Sequence, residues 1–128
     1  MRVISLRNSV EFEGEYLNGE LNGKIKEYYH NGKLKFEGEF VNGKRNGKGK
    51  EYNYDYNLLF EGKYLYDFKR KGKEYYLNGK LKYEGEYLFD NKYNGKGYDK
   101  INGDLKNYLK INNIMINCLI LIFKANSY

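Results

Sequence analysis

Aromatic and charged residues alternate along most of the chain, in blocks that recur. The clearest block is 36–50, FEGEFVNGKRNGKGK, and near-copies begin at Phe12, Phe60 and Tyr83. In Phe36-Glu-Gly-Glu-Phe40 the period is two. That places Phe36, Gly38 and Phe40 on one face of a strand and Glu37 and Glu39 on the other. Asn42-Gly43 follows, a pair that tolerates positive φ and predicts a tight hairpin. The chain returns through Gly47-Lys-Gly-Lys-Glu-Tyr52, again alternating. A second turn, Asn31-Gly32 in one copy and Asn78-Gly79 in another, leads through Leu-Lys into the next aromatic-Glu-Gly. Helix is a poor alternative, because glycine recurs too often, no 3.6-residue apolar stripe persists, and Tyr and Phe favour strands.

Aligned on aromatic-Glu-Gly, the chain divides into four units, 12–35, 36–59, 60–82 and 83–106, with steps of 24, 24 and 23 residues. Residues 1–11 resemble the closing half of a unit, so the array is expected over 1–106, with 107–128 as a divergent tail. Leucine-rich repeats share this period but need a Leu-x-x-Leu-x-Leu frame, which is absent. The expected fold is therefore all-β: an elongated, single-layer antiparallel sheet of repeated hairpins, growing by ~10 Å per unit. Gly38 should leave a slot between two rings, to be covered by a ring from an adjacent strand or repeat. Glu13/Glu15, Glu37/Glu39 and Glu84/Glu86 should face lysines of the return strands, each cross-strand pair contributing tenths of a kcal/mol and fixing register.

These residues resemble the MORN repeat (membrane occupation and recognition nexus), whose motif is Tyr-x-Gly-x-Trp followed by Gly-x-x-x-Gly-x-Gly. Phe36, Gly38 and Phe40 match its first part and Gly43, Gly47 and Gly49 its second. The first unit matches through Phe12, Gly14, Tyr16, Gly19 and Gly23, with Ile25 in place of the last glycine. The third keeps Phe60, Gly62, Tyr64 and Gly72, with Asp67-Phe68 expected in its hairpin turn. The fourth keeps Tyr83, Gly85, Tyr87, Gly95 and Gly97, with Asp90-Asn91 expected there. The likeness covers roughly residues 6–106 and departs from the motif in lacking Trp throughout. It implies a hairpin array used for scaffolding, protein interaction or membrane association, with no catalysis by the repeats themselves.

Composition changes the picture in two places. The aromatic content is 16 Tyr and 7 Phe with no Trp, so the rings are expected to be half-buried on a surface, because Tyr keeps a polar tip that needs a partner. The single cysteine, Cys118, cannot form an internal disulfide and fits a reducing compartment. The start, MRVISLRNSV, lacks the apolar run of a signal peptide, so the expected location is cytoplasmic or peripheral to a membrane.

Net charge is +6, with both signs interspersed. The Glu-x-Glu pairs recur along a sheet instead of converging on a cleft, so they read as structural charge and not as acid/base pairs. Residues 43–50, GKRNGKGK, superficially resemble a phosphate loop but lack its Ser/Thr and its helix. Lys24, Lys44, Arg45, Lys48, Lys69, Arg70 and Lys96 could still form a basic edge where turns stack, able to attract phosphoinositide headgroups. The rings at Phe12, Tyr16, Phe36, Phe40, Phe60, Tyr64, Tyr83 and Tyr87 are expected to form the core, not a base-stacking platform, and nucleic acid is not the expected partner. His30 has no second His or Cys nearby. No catalytic, cofactor or metal residue is expected. The tail, 107–128, is too short in apolar residues to span a bilayer; it is expected to cap the array or to be a disordered remnant, with a short membrane-associating segment as the third reading. The function that follows is a non-enzymatic scaffold for a protein partner. Its alternative is a peripheral module for anionic lipid, and exposed end strands would permit a homodimer.

Overall fold

Alternation punctuated by tight turns yields ten strands: β1 (Arg2–Arg7), β2 (Val10–Leu17), β3 (Glu20–Tyr28), β4 (Leu34–Val41), β5 (Lys44–Tyr52), β6 (Leu58–Leu65), β7 (Phe68–Tyr75), β8 (Leu81–Leu88), β9 (Asn91–Tyr98) and β10 (Leu105–Leu109). The computed structural model describes residues 2–7 and 10–109, together with Leu121, Ile122 and Lys124. The strands form one sheet whose spatial order is the chain order, β1 to β10, and each neighbouring pair is antiparallel. This is the expected open, single-layer array of hairpins. β10 crosses the expected boundary at 106 and pairs with β9. The expectation for the rest of the tail lies outside the described residues, apart from Leu121, Ile122 and Lys124, which are helical.

The four two-residue turns among the described residues have positive φ at both positions: Asn18 and Gly19, Asn42 and Gly43, Tyr66 and Asp67, Phe89 and Asp90. The last two differ from expectation by one residue. Leu65 pairs with Phe68 and Leu88 with Asn91, so the turns are Tyr66-Asp67 and Phe89-Asp90. Strand register, not local residue chemistry, fixes the turn, and it places an aromatic residue at φ 49° (Tyr66) and φ 51° (Phe89). Left-handed backbone costs a non-glycine residue about 1–2 kcal/mol, and contacts to the preceding hairpin offset it. Asp67 accepts a hydrogen bond from the Arg45 N–H at 2.7 Å and donates its own N–H to the Arg45 carbonyl at 2.9 Å. Asp90 accepts from the Lys69 N–H at 2.8 Å. The Phe89 ring meets Phe68 edge-on, with centroids 5.6 Å apart. At the opposite edge the Tyr29 and Tyr76 hydroxyls donate to the carbonyls of Tyr52 and Tyr98, each at 2.8 Å. Both edges therefore carry bonds from one unit to the next.

The core is a ring layer lying on a ribbon of glycine. Gly38, Gly49, Gly62, Gly72, Gly85 and Gly95 stand opposite one another across six consecutive strands. Phe36 covers Gly38 and Gly49, Phe60 covers Gly62 and Gly72, and Tyr83 covers Gly85 and Gly95. The slot is thus closed by the first ring of the same strand, not by a ring from a neighbour. In the first unit the Ile25 side chain lies over Gly14 instead. The rings then meet edge-on in a continuous zigzag, Phe40–Phe36–Tyr64–Phe60–Tyr87–Tyr83, with centroids 5.2–5.8 Å apart. Phe12, Leu21 and Ile25 extend the same cluster, and Tyr16 packs against it partly buried. The expected half-burial is exceeded, since Phe36, Phe60 and Tyr87 are fully covered.

Candidate functional site

The two faces of the sheet solve different problems. On the ring face, register places Glu27 between Phe12 and Phe36, Glu51 between Phe36 and Phe60, and Glu74 between Phe60 and Tyr83. A carboxylate among rings requires partners. Glu51 accepts from the Tyr64 hydroxyl and from Arg45 Nη1 at 3.1 Å. Glu74 accepts from the Tyr87 hydroxyl at 2.9 Å and pairs with Lys92 Nζ at 3.2 Å. Glu27 is only 6% exposed and faces Phe40's unit, which has no hydroxyl to offer; Arg45 supplies its Nε and Nη2, both at 3.2 Å.

Arg45 therefore bridges two carboxylates while its guanidinium lies 4.0 Å from the Phe36 ring centroid. Burial works against its charge, but Glu27 and Glu51 outweigh this and hold its pKa above the ordinary value. Lys69 and Lys92 repeat the placement over Phe60 and Tyr83. Burial and then Glu51 push the Tyr64 hydroxyl well up, and burial and then Glu74 do the same at Tyr87.

The opposite face carries the paired charges. Glu13, Lys26, Glu37, Lys50, Glu61, Lys73, Glu84 and Lys96 stand directly opposite one another in an alternating row. Tyrosines at the end of each return strand complete it. The Tyr52 hydroxyl donates to Glu37 at 3.2 Å, Tyr75 to Glu61 at 2.7 Å and Tyr98 to Glu84 at 2.6 Å. Burial, followed by the Glu37 charge, pushes Tyr52 up to about 12; burial, followed by the Glu61 hydrogen bond, takes Tyr75 to about 12. The second row is less regular. Lys24 faces Glu39 and Lys71 faces Glu86, but Lys48 faces Lys63 and Lys63 faces Lys71. Between the rows runs a trough of about 950 Å³ extending from β2 to β7, floored in part by Gly38, Gly49, Gly62 and Gly72.

The seven cations expected at one basic edge are not gathered there. Lys24, Lys48 and Lys96 lie on the charged face, with Lys24 opposite Glu39 and Lys96 opposite Glu84. Arg45 and Lys69 lie on the ring face, against Phe36 and Phe60. Lys44 is at the turn end of β5, and Arg70 sits in the irregular stretch of β7 between Lys69 and Lys71. The physical reason is twofold: alternation puts Lys48 and Arg45, three residues apart, on opposite faces, and a one-residue bulge in β7 turns Lys69 onto the rings. The twelve ring and glycine positions read from the motif come together in one layer, with Gly14 under Ile25. The ring-face carboxylates Glu27, Glu51 and Glu74 and the cluster Lys48–Lys63–Lys71 were not anticipated. A signal for the first was present: Glu51 shares strand parity with Gly49, as does Glu74 with Gly72.

Among the described residues no three of His, Cys, Asp and Glu are placed to hold a metal ion, and no helix is long and apolar enough to cross a membrane. No family model matches the chain, and no curated protein is significantly similar to it.

Proposed function

We propose that the chain is a non-enzymatic interaction scaffold of the MORN type, which receives a protein partner on the charged face. The observation that carries this reading is the trough: an open, elongated depression across six strands, lined by side chains set at repeat intervals. Such a surface offers extended contact and register-specific charges, as solenoid-like arrays do. The ring face serves cohesion, since Arg45 and Lys92 there are paired with Glu27, Glu51 and Glu74 and Lys69 lies over the Phe60 ring. A cytoplasmic setting accords with the single cysteine. The lipid reading is weakened by the dispersal of the seven cations over two faces.

The test is affinity capture from a lysate of the source cells by the intact chain, beside a variant reversing two trough charges, Lys50→Glu with Lys73→Glu. A protein recovered by the first and lost with the second supports the proposal. Capture that ignores the reversal, or no protein capture together with tight binding to phosphoinositide vesicles, overturns it.

A further inference from the structure

We infer that the trough over β5–β7 seats a short, acidic, extended peptide segment of the partner, and that Lys63 sets this preference for negative charge. The inference rests on the scaffold reading and gives it a location and a chemistry. The position that Lys63 occupies is glutamate in the other three units, as Glu15, Glu39 and Glu86. The exchange places three lysines, Lys48, Lys63 and Lys71, directly opposite one another on adjacent strands. Like charges so placed destabilise a sheet. All three side chains are exposed, and none has an ion-pair partner among the described residues. The arrangement costs stability in the free chain, and a bound anion removes that cost.

The surroundings specify the kind of anion. Over β5–β7 the trough is lined by Lys48, Lys50, Lys63, Lys71 and Lys73 against Glu61 alone, whereas over β2–β4 four glutamates stand against Lys24 and Lys26. An anionic bilayer, or a long polyanion such as nucleic acid, would press against that acidic end as well. A short acidic segment need not. Two interstrand steps span ~10 Å, about three extended residues. The lysine rows stand two residues apart along each strand, ~7 Å, with the backbone of Gly49, Gly62 and Gly72 between them. Successive side chains of an extended peptide lying along this channel point alternately to its two walls, so carboxylates can reach the lysines of both rows.

The experiment is fluorescence anisotropy of the full chain with a fluorescein-labelled peptide alternating Glu and Gly, and with its Gln counterpart. The Glu peptide should bind, weaken steeply with salt, and exceed the Gln peptide by at least ~tenfold. Lys63→Glu should lower its affinity ~tenfold or more, because one attractive charge becomes repulsive in a three-lysine cluster. Lys44→Glu makes the same charge change at the turn end of β5 and should stay within ~twofold. Since Lys63→Glu restores the residue found in the other units, it should fold, which circular dichroism verifies. Equal effects of the two variants, or equal binding of the two peptides, would overturn the assignment. Vesicle binding that depends on Lys63 without peptide binding would overturn it in favour of a membrane. If the peptide fails while charge-sensitive capture of a protein persists, this site assignment falls and the scaffold reading stands. If both fail, the scaffold reading falls too.

Discussion

Replacing Gly49 by Ala isolates the ring-on-glycine packing from every other role a glycine can have. Gly49 is buried and its φ lies outside the left-handed region, so an L-residue suits its backbone. A Cβ there would meet ring atoms first, 2.5 Å from Phe36 Cζ, 2.6 Å from Phe36 Cε2 and 3.1 Å from Tyr64 Cε1. Reduced freedom of the unfolded chain favours alanine by about 0.4–1 kcal/mol. Forcing a methyl into a filled core costs about 1–3 kcal/mol. The steric term wins, for a net loss of about 1–2 kcal/mol and a fall in Tm of roughly 4–8 °C. Urea unfolding followed by far-UV circular dichroism measures it. Phe36→Leu removes the opposing ring atoms, so in that background the Gly49→Ala penalty should fall below ~0.5 kcal/mol, a coupling of ~1 kcal/mol. Gly97→Ala is the control, since its nearest neighbours are Asn107 Cβ at 3.5 Å and the Lys82 carbonyl at 3.8 Å; it should be neutral or slightly stabilising. A Gly49→Ala penalty that is the same with and without the Phe36→Leu change would refute the reasoning.

Two further outcomes concern unit-to-unit bonds and a third the tyrosine–carboxylate bonds within units. Arg45→Met leaves Glu27 without its cation, and should cost about 2–4 kcal/mol in denaturant unfolding; adding Glu27→Gln should recover more than half of that. Asp67→Ala removes the acceptor for the Arg45 N–H and should cost about 1 kcal/mol, whereas Asp67→Asn should keep most of it, as thermal melts would show. Tyr52, Tyr75 and Tyr93 are pushed up to about 12, by burial first and then by Glu37, Glu61 and Glu86 respectively. The native chain then holds protons that an unfolded chain, with tyrosines near pH ~10, has released. This contribution is complete below pH ~10 and is lost as pH rises toward about 12, so the urea midpoint should decline over that window in step with tyrosinate absorbance at about 295 nm.

Most of the fold was legible because it is local. Parity gave the faces of each outgoing strand, and Asn42-Gly43 gave the hairpin of the second unit. Lys69 shows where parity fails. In the first two units the return strand carries two extra residues against its partner, between Ile25 and Leu21 and between Gly49 and Arg45. Two extra residues restore the phase, so Arg45 falls on the ring face as counting back from Gly49 would place it. In the third and fourth units there is one extra residue, which reverses the phase and turns Lys69 and Lys92 onto the rings. The spacing contained this: Gly49 stands 13 residues after Phe36 but Gly72 only 12 after Phe60. The Asp67 and Asp90 turns were misplaced by one residue for the related reason that an aromatic in left-handed backbone has no local signature; its compensation comes from the preceding hairpin.

The charges of the site were legible as residues but not as an arrangement. Lys63 reads in isolation as a lapse in a Glu-x-Glu pattern, and only the register shows that lysines flank it on both sides. The ring face indicates that such departures are otherwise answered within the chain. Where Phe40 lacks the hydroxyl that Tyr64 and Tyr87 give to Glu51 and Glu74, Arg45 replaces the donor for Glu27, in the position that Lys69 and Lys92 hold later. A lost partner inside the array is matched by a gained one. At Lys63 no carboxylate stands across from it on either adjacent strand: the residues directly opposite are Lys48 and Lys71. The proposed acidic segment would supply, from outside the chain, the negative charge that no described residue places opposite Lys63.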